Sequence, residues 1–86
     1  MYSLLFVVPA PLSTDTRDIA EWNEHIGELR PVFRIVEGSI ELGAGLWVVP
    51  LENGLAVVAH AIRDLEAHSM TWKGLVLESE KVSILQ

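Results

Sequence analysis

The chain has no cysteine among its 86 residues, which excludes a disulfide framework, a thiolate nucleophile and cysteine-based zinc sites together. The fold must therefore be held by packing. Basic residues are scarce as well: six Lys and Arg stand against twelve Asp and Glu, for a formal net charge of -6. Those six, Arg17, Arg30, Arg34, Arg63, Lys73 and Lys81, are scattered along the chain. Their spacing gives no clustered cationic face of the kind that phosphate neutralisation requires. Direct binding to nucleic acid or to an anionic membrane is thus not expected, and a basic protein partner suits the charge better. The same negative charge also keeps a small apolar domain in solution.

Long apolar runs are missing too. The longest are LLFVVPAPL, from Leu4 to Leu12, and the segment ending at Leu51, both interrupted by proline or glycine. Neither reaches the ~18 to 20 residues of a membrane-spanning helix. The amino-terminal MYSLLFVVP has an apolar centre, but no basic residue precedes it and Pro9 cuts it short. That is not the pattern of a secretory signal, and a cytoplasmic location is expected. A single domain over residues 1–86 is expected, of a size that buries only about 60 to 65% of the surface its unfolded form exposes.

Motifs for catalysis, metals or phosphates are absent at the level of spacing. Gly43-Ala44-Gly45 contains GxG but lacks the third glycine and leads into a strand, so it is not a dinucleotide fingerprint. Ser13, Ser39, Ser69, Ser79 and Ser83 have no histidine at a spacing that suggests activation. No cofactor and no metal are expected, and the reading is of a non-catalytic protein.

What the chain does have is apolar patterning. Tyr2 to Val8 is rich in β-branched and aromatic residues and is ended by Pro9 and Pro11, which predicts a strand apolar on both faces. Ser13, Thr14, Asp15 and Thr16 offer N-caps for a helix whose apolar stripe is Ile19, Trp22, Ile26 and Leu29. Pro31 is expected to end it, because the residue before a proline disfavours helical geometry. A second strand is expected from Val32; the passage of the apolar alternation from odd to even positions beyond Gly38 means either a bulge at Gly38, the favoured reading, or a separate tight turn at Glu37-Gly38. Its charges, Arg34, Glu37 and Glu41, suit a sheet edge.

A turn at Gly43-Ala44-Gly45 then leads into LWVVPL, again apolar on both faces. Asn53 is the expected cap of a second helix with Leu55, Val58, Ala59, Ile62 and Leu65 on its buried stripe. A fourth strand is expected from about Trp72 to Ser79, and the residues after Glu80 either extend it or fold back.

The order β-α-β-β-α-β resembles the ferredoxin-like arrangement, an α+β sandwich with a four-stranded antiparallel sheet and two helices on one face. In that topology the first and third strands are central, and these are the two with apolar residues on both sides. Two helices cover only one face of such a sheet. The other face is then expected to be an apolar patch that takes a partner, most simply a second copy of the chain.

Candidate partner-binding residues are Trp47 and Val49 on the third strand and the acidic ridge Glu21, Glu24 and Glu28 on the first helix, where a larger basic protein would dock. In size and charge the chain resembles phage-encoded inhibitors of host defence and immunity proteins for bacterial toxins, which implies an inhibitor or neutralising protein. The element order also resembles dimeric α+β-barrel proteins, which implies a small-molecule-binding protein or small enzyme as the alternative. His60, Asp64 and His68 follow at spacings of four on the second helix. The outer pair lies about 12 Å apart along the axis, too far to share one ion, so the row reads as a solvated polar face. His25 lies four residues after Glu21 and four before Leu29, which permits a surface pair and nothing more specific.

Overall fold

Alternation along the strands sorts the chain into a sheet with a covered and an uncovered face. The structure, a computed structural model, describes residues 2–12 and 14–78. In order, the elements are β1 (Tyr2–Val7), α1 (Thr16–Arg34), β2 (Ile40–Gly43), β3 (Leu46–Pro50), α2 (Leu51–Ala67) and β4 (Lys73–Glu78). The strands form one four-stranded antiparallel sheet in the order β2-β3-β1-β4, the α+β ferredoxin-like layout. The strands apolar on both sides, β1 and β3, take the centre and β2 takes an edge; of the charges expected along it only Glu41 lies in the strand, Arg34 being the last residue of α1 and Glu37 in the turn.

Phe6 and Val8 from the β1 segment and Trp47 and Val49 from β3 meet Ile26, Leu29 and Phe33 of α1 and Val58, Ala61 and Leu65 of α2 in one core. Both helices therefore lie on the same face. Ring packing ties the layers together: Phe33 stands 5.6 Å from Phe6 and 4.7 Å from Trp47 between centroids, and Trp72 stacks on Phe6 at 5.8 Å. Among the described residues no polar or charged side chain is buried. The ends of α1 and β1 are clamped by the Trp22 indole, which donates from Nε1 to the Val8 carbonyl at 3.0 Å.

The first helix does not stop at Pro31. It runs through the proline to Arg34, so the segment from Val32 read as the start of a strand is helical instead. Pro31 cannot donate to the Gly27 carbonyl, and its ring crowds that turn, a penalty of about 3 kcal/mol. Both residues are exposed, where solvent takes the bond that Pro31 cannot make. Against this, Phe33 and Val36 are buried in the core, worth roughly 3 to 6 kcal/mol for the pair. Burial outweighs the local penalty. The helical stripe Trp22, Ile26, Leu29 continues at the same spacing into Phe33.

Gly38 is not a bulge. It lies in the turn between α1 and β2 with φ at +88°, a left-handed conformation that favours glycine. The irregularity in the β2–β3 pairing falls between Glu41 and Gly43 instead. The second glycine with positive φ, Gly45 at +79°, makes the β2–β3 turn as the sequence predicts.

The second helix starts earlier than Asn53. Its first residue is Leu51, directly after the extended Pro50, and no side chain caps it. Asn53 sits inside the first turn and donates from Nδ2 to the Glu37 carbonyl at 3.3 Å. Gly54, expected before the helix, is buried within it. The buried stripe is Gly54, Val58, Ala61 and Leu65, rotated from the predicted one, so Leu55 and Ala59 face outward. The strand or return expected after Glu80 lies outside the described residues. No helix among the described residues is long and apolar enough to cross a membrane.

Candidate functional site

Register fixes which strand residues share the uncovered face. Leu5 pairs with Val48 on one side and Leu75 on the other, and Ile40 pairs with Val48. Directly paired residues point to the same side of a sheet, so Ile40, Val48, Leu5 and Leu75 form an apolar row across all four strands, opposite the core. Flanking rows add Leu46, Val7 and Lys73, and Pro50, Ser3 and Leu77. Leu75 and Ile40 remain 57% and 46% exposed. None of these strand positions carries a carboxylate, although the whole chain has a net charge of -6.

The sequence named Trp47 and Val49 as partner-binding. They lie on the helix-covered side, at 2% and 0% exposure, because β3 turns its odd positions to the core. The opposite face carries their neighbours Leu46, half-buried, and Val48, only 8% exposed. Glu21, Glu24 and Glu28 are all exposed on α1; Glu28 Oε1 lies 3.7 Å from Nδ1 of His25.

A second constellation is assembled where α1 meets the end of α2. His25, Asp64 and His68 each bring a potential ligand atom within 4.8 Å of the others, and the rings of His25 and His68 stand 4.5 Å apart between centroids. His68 is held there by the way α2 ends. Met70 N–H donates to the Leu65 carbonyl and Ser69 N–H to that of Glu66, the paired bonds of a Schellman closure, with Ser69 at φ +57° in the left-handed position. His68 Nδ1 lies 2.9 Å from the Asp64 carbonyl oxygen. A carbonyl only accepts, so Nδ1 carries the proton and Nε2 keeps its lone pair.

His25 and His68 also line an open cavity of about 630 Å³, together with Asp18, Glu21, Trp22 and Lys73 among others. The donor set of two imidazoles and a carboxylate is one that binds borderline divalent metals. Of the polar row read from the sequence, Asp64 and His68 take part and His60 does not. His25 replaces it from another helix, a tertiary contact that no spacing along α2 can signal.

Comparison of the chain with family models, with curated proteins and with solved structures finds no match.

Proposed function

We propose that the protein is a non-catalytic protein-interaction module that pairs with a second copy of itself through the uncovered sheet face. The observation that carries this reading is the charge pattern. In a strongly acidic chain, the face around Leu5, Val48 and Leu75 carries, among the described residues, no carboxylate and Lys73 as its one charge. A basic partner would gain little there, whereas two such faces bring no like acids together. Four strands at ~4.8 Å and about five residues at ~3.3 Å each give roughly 300 Å² of sheet plane. That is less than the ~800 Å² per partner of a standard interface, so a dimer built on this face alone is expected to be weak and concentration-dependent.

The ridge Glu21, Glu24 and Glu28 stays exposed in such a dimer and is the surface for a larger basic protein, the arrangement expected of a small cytoplasmic inhibitor or neutralising protein. Sedimentation equilibrium across the micromolar range tests the first step: a concentration-dependent monomer–dimer shift supports it, and a monomer at every concentration overturns it. For the second step, reversing all three glutamates to lysine should weaken binding to a basic partner and flatten its salt dependence.

The cavity beside His25 and His68 favours a second reading, a dimeric α+β-barrel-type protein that binds a small molecule. A ligand that quenches Trp22 and raises the melting temperature would support it, and the sheet-face dimer is compatible with either reading.

A further inference from the structure

We propose that His25, Asp64 and His68 form a binding site for a divalent transition-metal ion of the zinc class, one that staples α1 to the carboxy-terminal end of α2. The site is independent of the sheet face and of any partner bound there. Three features lead to it.

The first is donor chemistry and proximity. Two imidazoles and a carboxylate, from two different elements, converge within 4.8 Å. Ligand atoms around one tetrahedral ion at ~2.0 to 2.1 Å stand about 3.4 Å apart, so the ion draws the three groups together by a rotamer adjustment rather than a backbone movement. Asp64 is half-buried and His68 exposed, which leaves the side chains room for it.

The second is orientation of the ligands. Histidines that bind metals fix the ring by donating the other N–H to a carbonyl or carboxylate. His68 does so from Nδ1 to the Asp64 carbonyl at 2.9 Å. His25 has the Glu28 carboxylate 3.7 Å from its Nδ1. For His68, Nε2 is then the nitrogen left for an ion.

The third is access. His25 and His68 line the cavity of about 630 Å³, whereas the opposite side of the helix pair is occupied by the core residues Ile26, Ala61 and Leu65. An ion with three protein ligands therefore keeps its remaining position toward the cavity, where water or a small anionic ligand completes the shell. Sites of this open kind polarise what they bind, while a closed four-ligand site would serve structure alone.

The test uses chelator-treated full-length protein and three probes: Zn²⁺ by calorimetry, Co²⁺ by its visible absorption, and the melting temperature with and without Zn²⁺. The expected result is one ion per chain, Co²⁺ bands of a four- or five-coordinate N/O site, and a rise in melting temperature as the metal links the two helices. His68→Ala and His25→Ala should each weaken binding at least about 10-fold and abolish the thermal shift. His60→Ala, on the same helix but outside the cluster, should leave both unchanged. Circular dichroism of the metal-free variants keeps the comparison clean: if His25→Ala unfolds, the exposed His68 carries the test alone. Absence of saturable binding in the parent protein overturns the proposal, as does an equal loss in His60→Ala, which would mean scattered surface histidines.

Discussion

A Cβ added to Gly54 would stand 2.6 Å from Cγ1 of Val49 and 3.0 Å from Cγ1 of Val36. At this position α2 packs directly on β3, on the same buried stripe as Val58, Ala61 and Leu65. Alanine would gain up to ~1 kcal/mol in helix propensity but would overpack a filled site, at about 1 to 3 kcal/mol. Gly54→Ala is therefore expected to lower stability by up to about 2 kcal/mol, measured from the urea midpoint. A gain would show that α2 can move outward without loss of packing.

The end of α2 predicts the opposite sign. Ser69 adopts φ +57°, a conformation that costs a residue with a Cβ roughly 1 kcal/mol. Ser69→Gly keeps both Schellman hydrogen bonds and removes that strain. It is expected to stabilise the protein by about 0.5 kcal/mol once the greater freedom of glycine in the unfolded chain is subtracted. A higher melting temperature in calorimetry would confirm it, and a lower one would show that the serine side chain contributes more than the backbone.

The start of α1 and its flank separate a cap from an ion pair. The Asp15 carboxylate accepts from Arg17 N–H at 2.9 Å, and Asp15→Ala should cost about 1 kcal/mol. Arg30 Nε lies 2.8 Å from Glu41 Oε2, but both side chains are more than a quarter exposed. Arg30→Ala should cost less than ~1 kcal/mol and the cost should shrink in high salt. Unfolding both variants at two ionic strengths distinguishes them.

β1 and β3 were readable because each is a short β-branched and aromatic run bounded by proline or glycine, and their doubled apolar faces placed them at the centre of the sheet. The α1 boundary was not, because a rule about the residue before proline is local, whereas Phe33 is held helical by Phe6 and Trp47 from distant strands. The same limit hid the cap of α2: Asn53-Gly54 reads as a turn until Val49 and Val36 are seen pressing on Gly54. At the candidate site, Asp64 and His68 were visible as a helical pair. His25 was not, since its place beside them depends on how two helices pack, and no pattern along either one encodes that distance.

The two faces of the sheet, with opposite roles, give the last prediction. Trp47 and Leu75 both lie in strands, yet Trp47 is packed against Phe33 at 4.7 Å between ring centroids, and Leu75 stands on the uncovered face at 57% exposure. Trp47→Ala should destabilise the fold by about 3 to 5 kcal/mol, enough to consume much of the ~5 to 15 kcal/mol available to a small domain. Leu75→Glu removes little burial from a single chain, so its effect on unfolding measured at low micromolar concentration should stay within ~0.5 kcal/mol. In a dimer built on the Ile40, Val48, Leu5 and Leu75 row, however, it places a charge against an apolar surface in both copies and brings two acids close together. Self-association should therefore be lost in Leu75→Glu while the circular dichroism spectrum is kept. If Leu75→Glu sediments as the parent does, any association runs through another surface and the sheet face is not the interface.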